Sequence, residues 1–402
     1  MRKYVCLLEV NEMKNVLIYF PERKLAPKGG PAGYLNNLRM GLGNIALDEL
    51  NIDFYKDAPV EFEENQSIRS MVPKRLKEIK RAYKYANYLK RKLPIDRNLL
   101  AYDAIHFHKT EDMYLNRELL DQYKGKVILT SHTPCVPYQE IIGRLNPKDY
   151  ILFKRKIDKL IEMDRYAFER ADYIVFPCEE AEEPYYHTWE KYADIRISEK
   201  YQYIPTGIMG CVAKVNRDEF RRKYNIPQDA FVVSYAGRHN EIKGYGDLKV
   251  VGEQLLNEHK DIYFLIAGKE GPIYSLKNNR WIEIGWTTDP HSLIAASDIF
   301  VLPNHETYFD LILLEVLSLG IPIVMSNTGG NRYFQKFYEK GLMFYDSLPT
   351  AIDKILLIKK MTQSERANIG KDLIELFNRD FTVQKFAANY VKIITKIVNS
   401  GE

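Results

Sequence analysis

The sequence predicts an α/β protein made of two doubly wound domains. Three observations lead there. Short, β-rich apolar runs alternate with helix-patterned stretches along the whole chain. Those runs lack the in-and-out alternation of a half-solvated sheet, so both faces are buried, as in parallel sheets covered by helices. The chain has 402 residues, enough for two domains at roughly 150 to 200 residues each.

In the first half the predicted strands are 15–20 (NVLIYF), 104–108 (AIHFH), 126–130 (KVILT) and 172–176 (DYIVF), with helical stretches near 34–49, 74–92 and 147–170. In the second half they are 231–236, 262–268, 282–285, 298–303, 321–326 and 342–345, mostly separated by helical patterns. Pro205 and Gly207 interrupt regular structure in YIPTGI (203–208). The expected division is therefore a first domain over 1–206 and a second over 207–380, followed by a final segment, 381–402. Its helix, 383–398, carries Phe386, Tyr390, Ile393, Ile394 and Ile397 on one stripe, which requires a partner surface. Residues 1–12 read either as an extra strand or as an upstream start, because MKNVLIYF (13–20) itself looks like a chain start.

A hydrophobic content of 46% and a charged content of 28% fit a soluble globular protein and argue against disorder. A net charge of +4 is too small to imply nucleic-acid binding. Cys6, Cys135, Cys178 and Cys211 are far apart, with no C-x-x-C, which argues against a zinc site or disulfide framework and for a reducing cytoplasm. No apolar run is long enough to span a bilayer, and YVCLLEV, short and containing Glu9, is a poor signal peptide.

Five segments contain residues suited to chemistry. APKGGPAGYLNNL (26–38) follows a strand and opens a helix; Gly29 and Gly30 permit a tight turn, and the helix N-terminus offers N–H groups to an anion. A plain turn is the alternative. Arg238 and Lys243, in YAGRHNEIKGYGDL (235–248), follow the C-terminal end of a strand, where open α/β sheets bind ligands. Arg can grip phosphate oxygens in a bidentate way and Lys adds a mobile point charge; the alternative is a pair of solvated surface cations. In PNHETYFDLILLE (303–315) a helix is expected to begin near Asp310 or Leu311, with Glu315 among Leu313, Leu314, Val316 and Leu317. A carboxylate in that company needs a hydrogen-bond partner, either a ligand hydroxyl or a nearby backbone group or lysine. His106, His108 and His132 end two strands and either face a cleft or are structural; a zinc reading of His-x-His lacks a matching acidic or Cys ligand set. Finally, 73–93 carries nine Lys or Arg residues against Glu78, with Leu76, Ile79, Tyr83, Ala86, Leu89 and Leu93 at helical spacing. That pattern suits either an anionic membrane surface or a core-packed helix with a solvated basic face; RNA binding is a third reading, which no aromatic-interleaved nucleic-acid motif supports.

These pieces, in this order, resemble the retaining glycosyltransferases of family 4. YIPTGI resembles that family's iPNGi linker, with Thr206 in place of Asn. FRRKYNIPQDAFVVSYAGRHNEIKG resembles its R…GIP…vvGR…KG passage, and DIFVLPNHETYFDLILLEVLSLGIPIVMSNTGGN its motif around E-x7-E. The resemblance implies a GT-B fold, two Rossmann-like domains facing a central cleft, with acceptor bound by the first and donor by the second. It implies that Arg238 and Lys243 hold the nucleotide diphosphate, that Glu315 binds the ribose, that the turn at Gly29 and Gly30 approaches the donor phosphates and that His132 contacts the donor sugar. It also implies that the final helix crosses back to the first domain.

The sequence departs from that pattern in two places. Seven intervening residues before Glu315 lead back to Thr307, with Glu306 one position out of register, and Asp310 replaces the usual Gly. Thr307 and Glu306 are expected to meet sugar hydroxyls. An Asp310 carboxylate could cap the helix that begins at Leu311, yet would repel an anionic donor.

The implied reaction moves a hexose from a UDP- or GDP-type nucleotide sugar to a hydroxyl on a glycan, lipid-linked or protein acceptor. No resident cofactor or metal is expected, since no D-x-D triplet occurs. The expected location is cytoplasmic, peripheral on the inner face of the membrane, without nucleic-acid partners. The competing readings are a non-catalytic partner of a glycosyltransferase and a nucleotide-sugar epimerase.

Overall fold

The computed structural model describes residues 13–21, 25, 30–47, 49–55, 73–88, 93–143 and 145–400. Residues 1–12, whose role the sequence leaves open, and Gly29 lie outside the described residues. The chain forms two compact units. The first comprises Met1–Phe176, Lys191–Ile204 and Ala387–Glu402; the second, Pro177–Glu190 and Pro205–Phe386. The grouping is thus not a single cut near residue 206, because Pro177–Glu190 clusters with the second unit.

The first unit is built on β1 (Lys14–Tyr19), β2 (Leu50–Phe54), β3 (Ala104–Phe107), β4 (Lys126–Thr130), β5 (Tyr173–Phe176) and β6 (Tyr201–Tyr203), in the order β2-β1-β3-β4-β5-β6. All neighbouring pairs are parallel. Val16, Ile18, Ile105, Phe107, Ile128 and Val175 are buried, as strands covered on both faces must be. The two strands not predicted are the sheet edges. In β2, Asn51 and Asp53 interrupt the apolar run, and β6 is only three residues long. The helix expected over 34–49 is Pro31–Leu42, ending where Gly43 and Asn44 turn the chain. The stretch 147–170 is two helices, Pro147–Leu152 and Lys154–Arg170, broken at Phe153.

The second unit holds β7 (Phe231–Ala236), β8 (Ile262–Ala267), β9 (Trp281–Gly285), β10 (Ile299–Leu302), β11 (Ile323–Ser326) and β12 (Leu342–Tyr345), again all parallel, in the order β12-β11-β10-β7-β8-β9. Counted from β7 this is 6-5-4-1-2-3, the doubly wound order whose direction reverses between β7 and β10. A crevice opens at such a reversal, at the carboxyl ends of the two strands. In the first sheet the equivalent reversal falls between β1 and β3.

A buried ion pair fixes β10 against β7. Arg221, fully buried, donates to Asp298 at 2.9 Å and to the carbonyls of Ala296 and Ala230 at 2.9 Å each. Asp298 also accepts from the backbone N–H of Val232 at 2.8 Å and from Arg217 at 2.8 Å. Burying two charges is tolerated because each finds several hydrogen-bond partners.

The final helix, Val383–Val398, clusters with the second unit through Phe386 and with the first from Ala387. In the first unit Tyr390, Ile394 and Ile397 are buried, and Tyr390 Oη is 3.0 Å from His106 Nδ1.

Candidate donor site in the second unit

Arg238, Lys243, Glu306, Thr307, Asp310, Leu311 and Glu315 all belong to the second unit. They come from the segments leaving the carboxyl ends of β7 and β10, the two strands of the topological reversal.

After β7 the chain turns through Gly237 and Arg238. The Tyr235 hydroxyl donates to the Arg238 carbonyl at 2.9 Å, which fixes the backbone while the side chain points to solvent. Arg238 makes no hydrogen bond or ion pair through its side chain among the described residues. The loop closes when the Asn240 side chain accepts from the Lys243 N–H at 3.0 Å. Gly244 then adopts φ +60°, and any side chain there would overlap the Pro303 carbonyl. That close approach lays the β7 loop against the β10 loop. His305 N–H donates to the Ile242 carbonyl at 3.0 Å, and the His305 ring lies 2.8 Å from Asp247.

Lys243 Nζ meets Asp310 Oδ1 at 2.8 Å and Oδ2 at 2.6 Å, and Asn304 Nδ2 also donates to Asp310. Asp310 stands at the N-cap position of the Leu311–Ser318 helix, yet its side chain makes no capping bond. The helix cap suggested by sequence is therefore not formed, because Lys243 is a stronger partner than the helix N–H groups. The first turn carries no acidic residue, so its leading N–H groups keep the partial positive charge of a helix start.

Glu315 sits away from the buried Leu313, Leu314, Val316 and Leu317. Its partner is neither backbone nor lysine: His291 Nε2 lies 3.2 Å from Glu315 Oε2. Contacts with Cys211 and Glu315 push the His291 imidazole up to about 10.

In the β10 loop, Glu306 Oε1 is 3.3 Å from His187 Nδ1. Glu306 Oε2, Thr307 Oγ1 and Asn304 Oδ1 are buried and have no hydrogen-bond partner among the described residues. Thr307 is held from behind, its carbonyl accepting from the Gly330 N–H at 3.1 Å. Three contributors, His187, His291 and Asn304, are not singled out by the sequence. Their partners are 119, 24 and 6 residues away, and only Asn304, within the motif itself, carries a local signal.

In the first unit, Gly30 caps the Pro31–Leu42 helix at φ +77°, ψ −163°, a conformation essentially confined to glycine. Among the described residues nothing lies within 4 Å of where its Cβ would be. His132 Nε2 is 3.0 Å from His108 Nδ1, and His106 Nε2 is 2.8 Å from the Thr130 hydroxyl. Burial pushes His106 and His132 down to about 3, so all three rings, His108 included, are neutral at physiological pH. With both nitrogens of His106 engaged, His106 and His108 do not form a His-x-His metal pair. Among the described residues no group of three or more His, Cys, Asp or Glu side chains is arranged to hold a metal ion.

Away from these loops, the Lys74–Tyr88 helix leaves Leu76 54% and Tyr83 47% exposed, and Arg75 pairs with Asp149 at 2.6 Å. Among the described residues no helix is long and apolar enough to cross a membrane.

Residues 216–372, most of the second unit, match the family described as glycosyl transferases group 1. The O-antigen biosynthesis glycosyltransferase WclY of Escherichia coli is 27% identical over 188 residues, 44% of this chain; the match spans about half (50%) of that relative's length. The UDP-Gal:α-D-GlcNAc-diphosphoundecaprenol α-1,3-galactosyltransferase of E. coli is 24% identical over 313 residues, covering 73% of this chain and 76% of that protein. Among solved structures, sucrose-phosphate synthase from Thermosynechococcus elongatus superposes with a TM-score of 0.63 at 17% identity, covering 96% of this chain and 99% of its own. Anabaena HepE in complex with UDP and glucose gives 0.59 at 13% identity, covering 96% and 100%. The fold is the GT-B architecture of two doubly wound domains. The second unit is similar in sequence to group 1 glycosyltransferases.

Proposed function

We propose that this protein is a retaining glycosyltransferase of family 4, which moves a hexose from a UDP- or GDP-linked donor to an acceptor hydroxyl in cell-surface glycan synthesis. The observation that carries the reading is the loop after β10. There Asn304 Oδ1, Glu306 Oε2 and Thr307 Oγ1 are buried without hydrogen-bond partners among the described residues, in the segment between β10 and the Leu311–Ser318 helix that also supplies the partner of Lys243. An unsatisfied buried polar atom costs about 1–3 kcal/mol, and the hydroxyls of a bound sugar nucleotide would offset that cost.

Arg238, with no competing partner among the described residues, is assigned to the diphosphate, joined by Lys243 and the N–H groups at Leu311. As the bond between the anomeric carbon and the phosphate oxygen breaks, negative charge grows on the diphosphate, and these groups stabilise it. Glu306 and Thr307 hold sugar hydroxyls. Glu315, steadied by His291, accepts from the ribose. The acceptor hydroxyl attacks the face from which the diphosphate departs and passes its proton to that leaving group, so no enzyme nucleophile is required. In the first unit the Gly29–Gly30 turn and His132 are assigned to the donor by family resemblance alone. The printed name of the E. coli galactosyltransferase, with its GlcNAc-diphosphoundecaprenol acceptor, supports a lipid-linked glycan as acceptor, and the basic segment 73–93 is assigned to an anionic membrane surface on its charge pattern alone.

A second reading, a non-catalytic binding protein, is favoured by two observations: Lys243 is engaged by Asp310, and Thr307 replaces the family's Glu. Turnover separates the two. The purified protein is incubated with a panel of UDP- and GDP-sugars, with and without lipid-linked acceptor. Acceptor-dependent release of one nucleoside diphosphate is expected. No turnover across the panel contradicts the enzyme reading.

A further inference from the structure

We infer that Asp310 is an internal counter-anion that occupies the donor diphosphate's place on Lys243 and sets the affinity of the site for its donor. The inference rests on the donor-site reading above. Both oxygens of the Asp310 carboxylate lie within ion-pair distance of Lys243 Nζ, at 2.8 and 2.6 Å, and Asn304 Nδ2 donates to the same group. A carboxylate with two oxygens on an ammonium and an amide presents what a phosphate would present there. Its position excludes a purely structural explanation of the helix-cap kind, since the carboxylate ignores the helix it precedes.

The side chains of Lys243 and Asp310 are 24% and 22% exposed, so solvent reaches the pair and its partners can be exchanged. With the pair formed, Lys243 contributes no net charge toward an incoming anion, and Arg238 is left as the uncommitted cation of the β7 loop among the described residues. A diphosphate that binds must draw Lys243 away from Asp310 and then tolerate the freed carboxylate beside it. Donor affinity is therefore held below what the same loops would give with a neutral residue at position 310. When the nucleoside diphosphate leaves, Asp310 recovers Lys243, which favours product release.

The test is a thermodynamic cycle. UDP and GDP are titrated calorimetrically into the full chain as wild type, Asp310→Asn, Lys243→Ala and the double variant. The Asp310→Asn change keeps the shape and an acceptor oxygen for Asn304, and melting temperatures verify that each variant is folded. Asp310→Asn should tighten binding of the recognised nucleotide by about tenfold, the scale of a coupled ion pair. Lys243→Ala should cost under about threefold in wild type and over about tenfold in the Asp310→Asn background. Unchanged or weaker binding by Asp310→Asn overturns the inference, as does an equal loss from Lys243→Ala in both backgrounds. Binding of neither nucleotide by any of the four proteins overturns the donor-site reading, and the inference with it.

Discussion

Glu315 and His291 sit on separate helices 24 residues apart in sequence and meet at 3.2 Å. Periodicity identifies Glu315 as a lone acid on a leucine-rich helix. It does not reveal the partner, because the His291 helix is aligned with it only by the packing of the second unit. The same holds for Lys243 and Asp310, 67 residues apart. In both cases the acids are legible as unusual and their pairing is not. His291, in contact with Cys211 and Glu315, also gives the protein a pH signature. Its imidazole is raised from 6.5 to about 10. Its contribution to stability is therefore complete below about pH 6.5 and is lost as pH rises through about 10. The gap in melting temperature between wild type and His291→Gln should be widest near pH 6 and should close toward pH 10. A gap that stays constant across this range contradicts the raised imidazole and the Cys211 and Glu315 contacts that hold it.

Among elements, those with the strongest local pattern are the most legible. The central strands β3, β4, β7 and β10 are apolar on both faces and stand out in the chain. The edge strand β2 does not, because Asn51 and Asp53 face less buried surroundings. For the basic helix, sequence leaves two alternatives, core packing or a membrane surface. Leu76 and Tyr83 are exposed among the described residues, and of the two alternatives we propose the membrane surface. Replacing Lys80, Arg81 and Lys84 with Glu should lower binding to vesicles containing anionic lipid at least about tenfold, since each basic residue near such a surface is worth about 1 kcal/mol. Unchanged vesicle binding contradicts this role for the helix.

For the whole molecule, strand order decides what the pattern of elements cannot. Alternating strands and helices predict parallel sheets. The placement of β7 and β10 side by side, which makes the crevice at their carboxyl ends, depends on crossovers that leave no mark on local sequence. The GT-B fold is legible because motifs from three separate stretches of chain resemble one family in the same order. The orphaned polar atoms of the β10 loop are not, since burial without a partner is a property of the folded loop.

The central claim is that the loops after β7 and β10 bind a nucleoside diphosphate through Arg238 and Glu315. The most direct measurement is calorimetric titration of UDP and GDP into wild type, Arg238→Ala and Glu315→Ala, each verified as folded by its melting transition. Saturable binding of one nucleotide by wild type is predicted, weakened by about tenfold or more in each variant, the range for loss of a charge-assisted hydrogen bond. No binding by wild type, or equal binding by all three proteins, would contradict it.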